Sequence, residues 1–200
     1  MRRCEEMGWF SEWLQWLGLA RREVGILVLG LDNAGKTTVV RSLQRALGKG
    51  SAVDFNSEIA PTLGYLEEVV LTTHLQVKIV DMAGQIAYRD LWKHYFDPKQ
   101  THGIIFVVDS ADRKRLREAS KAFAELLDCT ELDGVPLLLL CNKSDLVTSA
   151  TRAEVLRSIG VSKMMKRSSL AVATDAKYNP ESITVGFDWL CLTIRERGWI

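Results

Sequence analysis

From Val24 onward, short apolar runs alternate with stretches in which apolar residues recur every three or four positions. The runs predict strands at about 24–29, 65–72, 75–81, 103–109, 135–141 and 168–173. The recurring spacing predicts helices at about 36–47, 86–96, 112–128, 151–159 and 183–197. Such alternation predicts an α/β fold with a mostly parallel sheet covered on both faces. Val135–Cys141 (VPLLLLC) is apolar throughout, as suits a central strand buried on both sides. Leu66–Leu71 and Leu75–Val80, joined by Thr72-Thr73-His74, predict the one antiparallel hairpin. Gly48–Ala60 is the longest irregular stretch and is expected to be a mobile loop.

Upstream the pattern differs. In Gly8–Ala20, Trp9, Phe10, Trp13, Trp16 and Leu17 fall on one face of a helix, with Ser11, Glu12, Gln15 and Gly18 over much of the other. Two readings stand open. The helix folds back onto the domain, or it lies in a membrane interface with its aromatic residues at headgroup depth, followed by Arg21 and Arg22. A nucleotide-dependent switch uses both. The expected division is therefore residues 1–22, an N-terminal extension with an amphipathic membrane and switch helix, and residues 23–200, a single globular domain.

Charge narrows the partners. Lys plus Arg number 26 and Asp plus Glu 25, so no net field draws nucleic acid or an acidic surface. The four cysteines lack metal-ligand spacing and read as free thiols in a reducing cytosol. No apolar run is long enough to cross a membrane, and Glu12 and Gln15 interrupt the one stretch that resembles a secretory signal. No prenylation cysteine stands in Arg195–Ile200. His74, His94 and His102 show no triad or metal spacing and read as surface or packing residues.

The chemistry begins where the first strand ends. Gly30–Thr38 reads GLDNAGKTT, with Gly30, Gly35, Lys36 and Thr37 at the G-x-x-x-x-G-K-[ST] spacing of a phosphate-binding loop. Glycine lets successive N–H groups, those of Asp32, Asn33, Ala34, Gly35 and Thr38 among them, converge on phosphate oxygens. The following helix points its positive dipole end at the same anion. Lys36 reaches the outer phosphates, and the Thr37 hydroxyl suits Mg²⁺. An ordinary glycine turn is disfavoured by the strand before and the helix after.

Asp81-Met82-Ala83-Gly84-Gln85 follows another strand. Asp81 is expected to hold Mg²⁺ through water, the Gly84 N–H to meet a terminal phosphate oxygen, and Gln85 to orient an attacking water. Thr62, in Ala60–Tyr65 (APTLGY), completes the Mg²⁺ shell only if its loop closes over the third phosphate. Asn142-Lys143-Ser144-Asp145 follows the fifth strand. The Asp145 carboxylate can accept two parallel hydrogen bonds from guanine, whereas adenine lacks that donor pair. Asn142 can tether neighbouring loops, the Lys143 stem can stack on the base, and the Ala173 N–H, in Ala173-Thr174-Asp175, can meet the guanine O6.

Together GLDNAGKTT, APTLGY, DMAGQ, NKSD and the ATD turn resemble the Arf and Arf-like branch of small GTPases, across essentially all of Val24–Leu192. LWKHYF (Leu91–Phe96) and GIIFVVDSADR (Gly103–Arg113) look like Arf-specific segments. Within the branch, the chain is most similar to Arf-like GTPases that recruit the BBSome coat to ciliary membranes. The resemblance implies a three-layer P-loop GTPase, or G domain, with a six-stranded mostly parallel sheet and GTP or GDP with Mg²⁺ at the carboxyl ends of its strands. It implies a hairpin that slides by one register when GTP replaces GDP, and so expels the N-terminal helix onto a membrane. It also implies effectors reading the segments around Thr62, the hairpin and Gln85. A GTPase-activating protein and an exchange factor follow, since hydrolysis unaided is slow and no arginine is clearly placed to act in cis. The expected protein is monomeric, cytoplasmic, reversibly membrane-associated and situated at a ciliary or flagellar base.

Two departures are visible. Family members begin Met-Gly, but here the match starts at Met7-Gly8, and Glu12 occupies the place where an acylation motif needs Ser or Thr. Val80 stands where many Arf proteins carry Trp or Phe. Two other function classes remain at this stage: a GTP-gated docking module with negligible hydrolysis, and a phosphate-loop kinase for a small metabolite. The kinase needs an Arg-rich lid, and none follows the 135–141 run.

Overall fold

The protein is described by a computed structural model covering residues 22–47, 64–72, 75–160, 164 and 167–198. Trp9, Phe10, Trp13, Trp16, Leu17 and Thr62 lie outside the described residues.

Six strands form one sheet: β1 Arg22–Gly30, β2 Tyr65–Leu71, β3 Leu75–Met82, β4 Gly103–Asp109, β5 Leu137–Asn142 and β6 Ser169–Ala173. Their spatial order is β2-β3-β1-β4-β5-β6. Every neighbouring pair is parallel except β2 and β3, the expected hairpin. Among the described residues, the α-helices are α1 Lys36–Ala46, α2 Leu116–Leu127, α3 Arg152–Ile159 and α4 Glu181–Glu196.

Alternation along the central strands fills two cores. Val24, Ile26 and Val28 of β1 join Ile105 and Val107 of β4 and Leu138 and Leu140 of β5 beneath α1 and α4. Leu27, Leu29, Ile104, Phe106, Leu137 and Leu139 face the other way, against Phe123 of α2 and Val155 of α3. The Phe106 and Phe123 rings meet edge-on, with centroids 4.9 Å apart. A strand buried on both faces has no polar side to show, which explains the unbroken apolar run of β5.

Two expected helices differ in detail. The residues from 86 to 95 wind as a 3-10 helix, with Tyr88 N–H donating to the Gln85 carbonyl and Phe96 N–H to that of Lys93. A winding of three residues per turn stacks Arg89, Trp92 and Tyr95 along one edge, and all three turn toward the body of the protein. The helix expected from residue 112 opens as a short 3-10 turn, Arg113–Arg115, before α2 begins at Leu116. The Asp112 side chain caps that turn by accepting from the Arg115 N–H.

The chain leaves β1 toward β2 and β3 on one side, then crosses to β4 on the other. A sheet built this way opens a crevice at the carboxyl end of β1. Gly30, Asp81, Asp109, Asn142 and Ala173 all stand at or next to carboxyl ends of their strands.

Candidate functional site

The loop from Gly30 to Thr37 has the backbone its composition requires. Gly30 (φ 141°) and Gly35 (φ 94°) occupy conformations that L side chains rarely adopt. A Cβ on Gly30 would overlap the Val107 carbonyl oxygen, and one on Gly35 would overlap the Asn142 side-chain amide. Asn33 also has positive φ, 61°, within the tolerance of asparagine. Gly35 is the N-cap of α1, so Lys36, Thr37 and Thr38 form its first turn.

Lys36 is 6% exposed, and its Nζ donates to the Leu31 carbonyl at 2.8 Å. Burial pushes its pKa down to about 8, opposed by the carboxylates of Asp81 and Asp32. A buried ammonium beside the first turn of a helix is a cradle for an anion.

Asp81 arrives beside α1 on β3, opposite Val28 of β1 and Leu66 of β2. Its Oδ2 accepts from Thr37 Oγ1 at 2.5 Å. Its Oδ1 is buried and has no hydrogen-bond partner among the described residues. Burial pushes the Asp81 pKa up, against the Thr37 hydrogen bond and the Lys36 charge. A desolvated carboxylate with one unsatisfied oxygen next to a hydroxyl is a donor set that suits a hard divalent cation such as Mg²⁺.

The turn after β3 lies directly on the phosphate loop. A Cβ on Gly84 would strike the Leu31 carbonyl carbon and the Asp32 nitrogen. Three bonds fix the turn: Ala83 N–H to the Gly64 carbonyl at 2.8 Å, Trp92 Nε1 to the Ala83 carbonyl at 2.9 Å, and Arg89 Nε to the Gly84 carbonyl at 2.9 Å. Gln85 follows at the head of the 3-10 helix, half-buried, its backbone extended.

At the other end of the crevice, Asn142 is 2% exposed and joins three segments. Its Nδ2 donates to the Ala34 carbonyl at 3.0 Å, and its Oδ1 accepts from the Ala176 N–H at 3.1 Å and from Thr174 Oγ1 at 3.5 Å. Ser144 binds the Thr174 carbonyl through both its N–H (3.1 Å) and its hydroxyl (3.0 Å). The loops carrying Asp145 and Ala173 are thereby held side by side, and both residues are exposed. Lys143 has φ 59°, and its Nζ pairs with Asp109 Oδ2 at 2.7 Å.

Residues 10–194 match the model of the ADP-ribosylation factor family. The chain belongs to that family. It is 35% identical over 191 residues to ADP-ribosylation factor-like protein 6 of Danio rerio, spanning 94% of this chain and 98% of that protein. Among solved structures it is similar to the Arl6 BBS3 small GTPase of Trypanosoma brucei with a bound nucleotide analogue, GppNp. There the TM-score is 0.75 at 27% identity, over 87% of this chain and 98% of that one. As an ADP-ribosylation-factor-family GTPase, the protein binds GTP and GDP with Mg²⁺ and hydrolyses GTP. The metabolite-kinase class falls away.

One feature of this GTPase escaped the sequence reading. Arg115 of the 3-10 turn before α2 reaches Asp32 in the phosphate loop, with its terminal nitrogens on Oδ1 (2.6 Å), Oδ2 (3.3 Å) and the Asp32 carbonyl (3.2 Å). Glu118 of α2 accepts from Arg115 Nε at 2.9 Å and from Arg89 at 2.5 Å. The two guanidiniums hold the Glu118 carboxyl down to about 2, with Arg115 the larger cause. Phosphate loop, α2 and the turn carrying Gly84 are thus tied in one ionic chain. The i,i+3 spacing of Arg115 and Glu118 was the only local sign of it. Two arginines therefore stand beside the phosphate loop, although the sequence marked none.

The histidines read as packing residues also gain a detail. His102 accepts from the Gly25 N–H through Nδ1 at 3.0 Å, and its own N–H donates to the Gly25 carbonyl at 2.8 Å. This pins the turn before β4 to β1.

Proposed function

We propose that this GTPase is a nucleotide-gated membrane switch that recruits a BBSome-like coat for membrane or ciliary protein traffic. The observation that carries this reading is the 35% identity to ADP-ribosylation factor-like protein 6 across 94% of the chain. The amides of Asp32, Asn33, Ala34, Gly35 and Thr38 and the Lys36 ammonium bind the phosphates. Asn142, Lys143, Asp145 and Ala173 form the guanine side. Thr37 and Thr62 ligate Mg²⁺ directly, and Asp81 does so through water. The Asp81 oxygen left unpaired beside Thr37 supports that assignment.

In hydrolysis, water attacks the γ-phosphate in line with the departing diphosphate. Gln85 orients that water, and the Gly84 N–H and Lys36 stabilise charge on the transferred group. Bound Mg²⁺ supplies positive charge at the phosphate oxygens. The slow unaided hydrolysis that the family resemblance implies calls for an activating protein, and an exchange factor releases the product.

Residues 1–22 act as the membrane unit and residues 23–200 as the GTPase domain, working as a monomer in the cytoplasm and at a ciliary or flagellar base. Trp9, Phe10, Trp13, Trp16 and Leu17 enter the membrane interface in the GTP state. A cleft of about 560 Å³ beside β1, in which Leu27, Val80 and Tyr95 are bordered by charged residues such as Glu23, Lys78 and Lys99, is the proposed resting place for that amphipathic helix in the GDP state. Effectors read the hairpin, where Tyr65, Leu66 and Val69 are exposed and the Tyr65 ring lies 4.8 Å from that of Tyr95.

Liposome flotation tests the proposal. The full chain is expected to float with a non-hydrolysable GTP analogue and to stay in solution with GDP. Equal flotation in both states would refute nucleotide-gated docking.

A further inference from the structure

Asp109 ends β4 directly opposite Asn142, the last residue of β5. Its two carboxylate oxygens have separate partners. Oδ1 accepts the N–H groups of Ala111 at 2.9 Å and Asp112 at 3.3 Å, which folds the turn after the strand. Oδ2 pairs with Lys143 Nζ at 2.7 Å.

Lys143 needs such a partner. A lysine side chain is a flexible four-carbon stem that loses considerable rotamer freedom when fixed. Its backbone already sits in the left-handed region, φ 59°, which a residue with a Cβ adopts only when its surroundings impose it. Here both ends of the stem are held. The rung between Asp109 and Asn142 fixes the backbone, and the Asp109 carboxylate fixes the ammonium. The methylenes between are laid across the carboxyl ends of β4 and β5, with the Lys143 side chain 27% exposed and that of Asp109 16%.

We infer that Asp109 is a positioning residue for guanine binding: it holds the Lys143 stem as the platform on which the face of the base rests. This role depends on Lys143 lying against the base, as proposed above. Asp109 makes its contribution through Lys143, not by contact with the nucleotide. Without the pair, the stem must be ordered each time a nucleotide binds, and a platform not ordered in advance binds more weakly. The base is common to GDP and GTP, so both should be affected alike.

The test is the release rate of fluorescent GDP and of a fluorescent non-hydrolysable GTP analogue from the full chain with Mg²⁺. Five proteins are compared: wild type, Asp109→Asn, Lys143→Met, their double variant and Lys143→Ala. Asparagine keeps an oxygen acceptor for the turn but loses the charge that holds the ammonium. Methionine keeps an apolar stem without the charge. Asp109→Asn should speed release of both nucleotides roughly three- to ten-fold, as expected for a partly exposed charge pair. The double variant should be no faster than Lys143→Met alone. A purely structural role for Asp109 would make the two effects multiply, and that result overturns the inference, as does an unchanged rate in Asp109→Asn. If Lys143→Met releases nucleotide at the wild-type rate, the charge pair does not order the platform and the inference falls; Lys143→Ala, which removes the stem itself, would at the wild-type rate take down the base-site assignment as well. If only the Asp109 arm fails, the assignment of Lys143 stands.

Discussion

Thr37 Oγ1 donates to Asp81 Oδ2 at 2.5 Å, across 44 residues of sequence, while the second oxygen of the same carboxylate is buried without a partner among the described residues. Leaving a buried acceptor unsatisfied costs about 1–3 kcal/mol, so the arrangement is stable when something positive or protic completes it. On the proposed reading, Mg²⁺ with its water shell is that completion. Thr37→Ala is therefore expected to speed GDP release at least about ten-fold when Mg²⁺ is present. It should have little effect once the metal is chelated, because the variant has already lost what chelation removes. Release of a fluorescent GDP with and without chelator measures both arms, and a variant that still responds to chelation like wild type would contradict the assignment.

Gln85 is held at the head of a 3-10 helix whose preceding residues are fixed by Trp92 and Arg89. Gln85→Leu should lower single-turnover GTP hydrolysis by at least about ten-fold, since a positioned group for water is lost. Equal GTP lifetimes in the variant and the wild type would remove Gln85 from the mechanism.

Asp145 stands exposed beside the Thr174 loop. Asp145→Asn replaces a double acceptor with a group that is half donor. Affinity for guanine nucleotides should fall on the order of a hundred-fold and affinity for xanthine nucleotides should rise. Competition between GDP and xanthosine diphosphate reads this out, and an unchanged preference counts against Asp145 as the base reader.

Glu118 is held at about 2 by Arg115 and Arg89, below its ordinary 4.5. A depressed carboxylate stabilises the fold fully above its unfolded-state value and loses that contribution as pH falls from about 4.5 through about 2. The side chain is 32% exposed, so water weakens the pairing, and Glu118→Gln should cost roughly 1 kcal/mol at neutral pH. Glu154 titrates in the same window. The difference in Tm between wild type and variant therefore isolates Glu118, and it should shrink as pH falls from 5 toward 2. A gap that stays constant with pH would mean that the ion pairs contribute nothing.

What the sequence revealed and what it hid differ in physical kind. The phosphate loop was legible because its backbone demands glycine at Gly30 and Gly35, and no other residue meets the positive φ without strain. The central strands were legible because burial on both faces leaves Leu137–Cys141 no polar position. The ionic chain from Asp32 through Arg115 and Glu118 to Arg89 was not, since its members are brought together by sheet topology and each alone reads as a solvated charge. The His102 clip on Gly25 spans 77 residues and leaves no local trace. The stretch from Ile86 to Tyr95 is legible as a helix but not as a 3-10 winding, because spacings of three and of three to four overlap across ten residues.

On the proposed reading, the loop opening at Gly30 holds a guanine nucleotide through Mg²⁺. That reading is tested most directly by denaturing the purified full chain and identifying the nucleotide it releases. With Mg²⁺ present throughout, about one equivalent of GDP or GTP per chain is expected, falling toward zero after incubation with a chelator. A chain that carries no guanine nucleotide with magnesium supplied, or that carries adenine nucleotides instead, would contradict the account.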